Sequence, residues 1–192
     1  MDTRLWWYTA RASGLVSWGL LAVGVLLGLV LSTRVVRRPR PAWIVDLHRF
    51  LGGTAVVFVA VHIASIVLDR YVDFSLADVA VPLASTWHPV AVAWGIVALY
   101  LLAAVEVTSL ARAHLPAKMW RTSHLLSFPS FVAATTHLLS AGTDRHSDVV
   151  RASVVMVLAA VAVLTAARVG SVARSRRGPR TVPVRARVRV GA

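Results

Sequence analysis

Seven histidines and no cysteine define the ligand chemistry open to this chain. Without cysteine there are no disulfides, thiolate metal sites, iron–sulfur clusters or covalently attached c-type haem. Four of the histidines lie in or at the ends of long apolar stretches, where a ligating side chain is costly and points to function. His48 and His62 are fourteen positions apart, and His124 and His137 thirteen. At about 1.5 Å per helical residue the members of each pair stand roughly 20 Å from one another, so neither pair can hold a single ion. The pairing has to run between two helices. Matched by depth, His48 faces His124 and His62 faces His137, and each layer can clamp one flat macrocycle between two imidazoles. The remaining histidines read differently: His88 at a helix start, His114 and His146 in loops.

A haem between two helices needs small neighbours and cations for its propionates. Gly52 and Gly53 lie one turn beyond His48, and Ala133 and Ala134 one turn before His137; small-residue helix packing also accounts for such residues. The cation candidates are Arg49 and Arg121 for the His48 layer, and Arg70 or Arg145 for the His62 layer. For Arg49 and Arg121, topology alone is also a sufficient reason. Glu106, near the end of its apolar run, reads as reaching water or Arg112, and Asp46 as a helix cap.

Rotation tests the pairing. Fourteen positions at about 100° each end some 40° short of whole turns, so His48 and His62 share a helix face. Thirteen positions end about 140° off, which splits His124 from His137 in an ideal helix. Pro129 stands between them, and the local unwinding that proline causes is the expected repair.

The elements that position these residues follow from composition. Of the 192 residues 57% are hydrophobic and 15% charged, with mean hydropathy +0.70. A soluble domain carries roughly 25% charged residues, so a soluble globular enzyme is excluded. Successive charges bracket five uncharged stretches, which predict five transmembrane helices near Gly14–Thr33, Trp43–Leu68, His88–Leu110, Trp120–Ala141 and Val150–Ala167. The first apolar run is longer than a signal-peptide core and is expected to be retained as a helix. The expected architecture is an all-α integral membrane helix bundle over residues 1–170, followed by a basic, disordered tail over 171–192. Lys and Arg concentrate on one side of these spans, which puts the N-terminus outside and the C-terminus in the cytoplasm. The net charge of +13 is therefore a topology signal and not a nucleic-acid footprint. The Arg-over-Lys, Ala- and Val-rich usage suits a GC-rich bacterial genome, and the expected location is a bacterial cytoplasmic membrane.

The stretch Asp46-Leu-His48-Arg49-Phe-Leu-Gly52-Gly53 running to His62, with Trp120-Arg121-Thr-Ser-His124-Leu-Leu-Ser-Phe-Pro129 running to His137, resembles the ferric reductase-like transmembrane domain. That family includes ferric reductases, NADPH oxidases and the haem subunit serving bacterial periplasmic methionine sulfoxide reductase. The resemblance covers about residues 14–167. Members usually have six helices with ligands on the third and fifth, so this chain looks as if it lacks the first helix; it also ends without a flavin and NADPH domain. The resemblance implies that His48 and His124 ligate an inner haem b, and His62 and His137 an outer one. It further implies a b-type cytochrome, the electron-transfer component of an oxidoreductase system. Electrons would pass from a cytoplasmic flavoprotein or quinol to an extracytoplasmic acceptor. A variant of this reading keeps only one haem. Two rival expectations are a transporter moving protons or metal ions through its histidines, and a structural membrane subunit in which they only pack.

Overall fold

The computed structural model describes residues 3–32, 42–69, 72 and 74–177, with side chains omitted for residue 3 and for 172–177. Seven α-helices make up this part: α1 (Thr3–Ser32), α2 (Ala42–Leu68), α3 (Leu76–Ala80), α4 (Pro89–Leu110), α5 (Ala117–His124), α6 (Ser127–Ala141) and α7 (Asp148–Arg177), with short 3-10 turns at Ala111–His114 and Thr143–His146. Helices dominate because in hydrocarbon every backbone N–H and C=O must be paired within the segment. Among the described residues four segments are long and apolar enough to cross a membrane: Arg4–Ser32, Ala42–Leu68, Pro89–His114 and Asp148–Ser171. The protein is a helical membrane bundle.

The long helices α1 and α2 form one antiparallel hairpin, and α4 packs against α5 and α6 to form a second. Helix α1 also touches α6 and α7, so it stands at the middle of the assembly. Its Ala22, Val25 and Leu29 bury against Phe131 of α6, with Trp18, Phe128 and three aliphatic residues of α7 around them. Polar contacts also tie the helices together, among them Trp18 Nε1–H donating to Thr135 Oγ1 at 3.0 Å and the buried Ser130 hydroxyl donating to the Ala98 carbonyl at 3.0 Å. Such interhelical bonds are worth about 0.6 kcal/mol each in a membrane bundle. The outward faces carry Val57, Val107, Leu110, Val155 and Val163, all exposed, as lipid contact requires.

The expected fourth span departs from a single helix. It is divided into α5 and α6 by a turn at Leu125–Leu126. Pro129 has no N–H to offer the carbonyl of Leu125, four residues back, and its ring crowds that carbonyl. The Leu125 carbonyl instead accepts from Phe128 N–H at 3.2 Å, and Leu125 N–H itself donates to Thr122 O at 3.2 Å. These are 3-10-type bonds, which advance the chain about 120° per residue in place of 100°. The tightening turns α6 relative to α5 in the direction that makes up the rotational deficit between His124 and His137.

The short connections have local causes. In α3, Ser75 and Asp78 form a reciprocal capping box, Asp78 N–H donating to Ser75 Oγ at 3.3 Å and Ser75 N–H to Asp78 Oδ2 at 2.9 Å. Before α4, His88 adopts a left-handed conformation with φ 44°, and Pro89 opens the helix at its first turn. Asp46 lies within α2, which begins at Ala42, and so does not cap it as expected. Helix α7 runs to Arg177, past the expected end of the bundle at residue 170. The rest of the basic tail lies outside the described residues.

Candidate functional site

The four membrane histidines meet in two layers. The His48 and His124 ring centroids are 5.9 Å apart with their planes at 70°, and those of His62 and His137 are 6.4 Å apart at 80°. His48 and His62 come from the same helix, α2, while His124 ends α5 and His137 lies in α6. The divided helix thus delivers both of its histidines to the face of α2.

Neighbouring helices set the ring orientation in the His62 layer. His62 Nδ1 lies 2.7 Å from the Ala10 carbonyl of α1, and His137 Nδ1 lies 2.8 Å from the Ala91 carbonyl of α4. A carbonyl oxygen has no proton to give, so each Nδ1 carries the hydrogen and donates it. Each Nε2 then keeps its lone pair free, which is the tautomer a ligating imidazole needs.

Glycines make the space for these rings. A Cβ added at Gly14 would meet His62 Nδ1 at 2.9 Å, and one added at Gly95 would meet His137 Nδ1 at 2.9 Å. A Cβ at Gly28 would touch His48 Cε1 at 3.4 Å. These positions share a register. On α1 the pair Ala10 and Gly14 recurs fourteen positions later as Gly24 and Gly28, and on α4 the pair Ala91 and Gly95 gives way at the same interval to Val105 and Ser109. The interval equals the spacing of His48 from His62. In the pairs beside His62 and His137 the first residue offers a carbonyl and the second leaves room for the ring.

The His48 layer is held more loosely. His124 Nδ1 is 3.4 Å from the Ser109 hydroxyl, and the buried His48 Nδ1 faces the Gly24 backbone without closing a well-formed hydrogen bond. The indole of Trp120 stacks on His124 with centroids 5.1 Å apart and planes at 25°, and the Arg112 guanidinium lies 4.4 Å above that indole. Trp120 Nε1 is buried and unpaired.

A cavity of about 400 Å³ opens beside the His62 layer, lined by His62 and His137, by Gly14, Gly95 and Ala134, and by apolar side chains. That volume falls within the usual range for small-molecule and cofactor pockets. Arg11 and Asp144 also line it. They form a half-buried ion pair with two contacts, Arg11 Nε donating to Asp144 Oδ2 at 3.0 Å, and the Arg11 guanidinium rests 4.3 Å over the Trp7 ring.

The cation candidates fall differently from expectation. Arg49 and Arg121 are exposed, and Arg70 lies outside the described residues. Arg145 turns away to the Ser140 carbonyl at 2.8 Å and to His146. Arg11, which was not among the expected cations, is the arginine that lines the cavity among the described residues. The Gly14 and Gly95 slots were also missed, although the small-residue recurrence on α1 was there to be found. The room expected at Gly52 is taken by Glu106, whose Oε1 sits 2.7 Å from where a Gly52 Cβ would be; Gly53 faces open space. Arg112, one of the two partners expected for Glu106 beside water, lies over Trp120.

His88 caps α4 and contacts Trp87, and His146 sits between Arg145 and Arg151 at 3.1 Å from each. Neither joins the layers. Among the described residues no group of three or more His, Asp or Glu side chains is placed to share a bare metal ion. A family model described as ferric reductase like transmembrane component matches residues 13–135, ending two residues before His137 and excluding α7. No curated protein and no solved structure matches the chain.

Proposed function

The chain belongs to the ferric reductase-like transmembrane family, and from that premise we propose that it is a b-type cytochrome of a bacterial cytoplasmic membrane, carrying electrons across the bilayer through two bis-histidine haems. The observation that carries this reading is the facing of two imidazole pairs at 5.9 and 6.4 Å. Two metal–imidazole bonds of about 2 Å each, plus two ring radii of just over 1 Å, span roughly 6 Å. The donor set fits as well. A site with only two protein ligands suits a metal that brings its own equatorial nitrogens, and it does not suit a bare ion in transit. That favours the cytochrome over a metal transporter, while the free Nε2 atoms favour ligation over simple packing.

His48 and His124 would hold the inner haem, and His62 and His137 the outer one. Haem supplies a one-electron carrier whose potential the protein sets through ligands, hydrogen bonds and burial. The chain's own work would be to hold four imidazoles, with His62 and His137 fixed in the ligating tautomer, and to exclude water with α1 and α4. Arg11 is the cation best placed to meet outer propionates, with Arg49 and Arg121 left for the inner rim. Five crossings, counting α5 and α6 together as one, put the basic loops on the cytoplasmic side. There they can receive an acidic flavoprotein, or a quinol can reach the inner haem, with the acceptor outside.

The test is a reduced-minus-oxidised absorption spectrum with haem quantified per chain, on the detergent-purified protein and on His62→Ala and His124→Ala. Two b haems, with each substitution removing a different one, is the expected result. A protein that stays colourless after reconstitution with haem would sink the reading.

A further inference from the structure

The two layers share a register but not a chemistry. At three of the four recurrent positions the residue opposite an imidazole is glycine: Gly14, Gly28 and Gly95. At the fourth, opposite His124, it is Ser109, whose hydroxyl comes to 3.4 Å of His124 Nδ1. His62 and His137 have backbone carbonyls at 2.7 and 2.8 Å, which no substitution of a side chain removes. His48 Nδ1 has only the Gly24 backbone beside it, without a well-formed hydrogen bond. Of the four imidazoles, then, His124 alone has a side-chain hydroxyl as its Nδ1 partner.

We propose that Ser109 is the positioning residue of His124, its hydroxyl accepting from Nδ1–H and thereby setting the potential of the inner haem independently of the outer one. The inference rests on the bis-histidine reading above. A proton shared from Nδ1 leaves Nε2 more basic, and a more basic axial ligand favours the oxidised metal and lowers the potential. At 3.4 Å the contact lies at the long end of hydrogen-bond range, so the hydroxyl holds the ring less firmly than a carbonyl does. Trp120, stacked on the same ring, limits how far His124 can turn away from it. The outer pair offers no comparable handle, because its acceptors are main-chain atoms of α1 and α4.

The experiment is a potentiometric titration of the haem-loaded protein followed by its optical and electron paramagnetic resonance spectra, on wild type, Ser109→Thr and Ser109→Val. Thr and Val are nearly equal in shape and differ in the hydroxyl. The inner haem is identified beforehand as the one retained in His62→Ala. The expected result is an upward shift of the inner potential in the Val variant, with an altered low-spin signal from that haem. The Thr variant should keep the wild-type potential, and the outer haem should stay unmoved in both. Equal inner potentials in the Thr and Val variants, or a shift shared by both haems, would overturn the role of Ser109. A wild-type protein that binds no haem at His48 and His124 would instead overturn the two-haem reading on which the inference rests.

Discussion

His62 donates its Nδ1–H to the carbonyl of Ala10, 2.7 Å away and 52 positions earlier in the chain. The contact joins two helices of one hairpin, and it decides which imidazole nitrogen is left for a ligand. Ala91 does the same for His137 from the other hairpin, at 2.8 Å. The ligating tautomer is thus a product of helix packing, and the packing depends on glycines one turn along from each carbonyl.

Those glycines are open to substitution. In Gly14→Ala or Gly95→Ala the new methyl group would stand 2.9 Å from the imidazole, closer than such atoms pack, and the ring would have to leave its carbonyl. Loss of this kind of supporting contact lowers metal-site affinity by about 10–100-fold, so the outer haem is expected to fall away while the inner one stays. Gly19→Ala and Gly24→Ala, which meet open space, should retain both haems. Haem content per chain measures all four variants, and equal retention throughout would contradict the slot argument.

Restoring the missing backbone donor should undo the divided helix. Pro129→Ala supplies an N–H to the Leu125 carbonyl and favours a continuous helix from α5 into α6. His124 and His137 would then diverge by about 140°, so that one of them leaves the face of α2. We expect haem content to drop, with the less firmly anchored His124 layer losing its cofactor first. A variant with two haems and an unchanged spectrum would show that the turn at Leu125–Leu126 does not depend on the proline.

Arg11 and Asp144 join the first helix to the turn after α6 at the mouth of the cavity. The two side chains are 31% and 22% exposed, so screening limits the pair's worth to about 1 kcal/mol or less. A double-mutant cycle of Arg11→Gln and Asp144→Asn, read by thermal unfolding in detergent, should return a coupling of that size. Arg11→Gln should in addition loosen the outer haem, and Asp144→Asn should not. Equal effects on haem would mean that the arginine serves only the ion pair.

The outer connection should be sensitive to acid through α3. Hydrogen bonds from the Ser75 hydroxyl and then from the Ser75 backbone N–H hold the Asp78 carboxyl below its ordinary value of 3.8. A carboxylate with a lowered folded pKa stabilises the fold above the unfolded value, and that contribution is lost as pH falls through the folded one. Helix α3 should therefore be intact at neutral pH and fray below about pH 4. Amide exchange at residues 76–80 would show it, and Asp78→Asn should exchange faster already at neutral pH. Because Val79 lines the cavity, fraying of α3 also opens its rim.

How much of this was legible beforehand differs from residue to residue. The histidine layers were legible, because helical rise converts sequence spacing into depth and charges mark where each span ends. Pro129 was legible as the cause of a break for the same local reason: it removes one donor at a known position. The place of the break was not assigned, and it fell at Leu125, the residue whose carbonyl the proline deprives. The cation seen at the cavity, Arg11, was not among those chosen, and Arg70 lies outside the described residues. Arg70 and Arg145 were chosen for their nearness in sequence to the outer histidines, while Arg11 comes to the site from the far end of the chain, paired with Asp144.

The sequence on its own settled the membrane environment, the helical class and the two depths at which histidines occur, because hydropathy, charge and helical rise act along a single chain. Tertiary structure decided which carbonyls orient His62 and His137, which glycines admit the rings, where Glu106 and Arg11 go, and that Ser109 alone breaks the register. These are relations between helices. Each depends on how α1 and α4 slide and turn against α2 and α6, and that choice is made by packing of small residues, which no single segment's pattern contains.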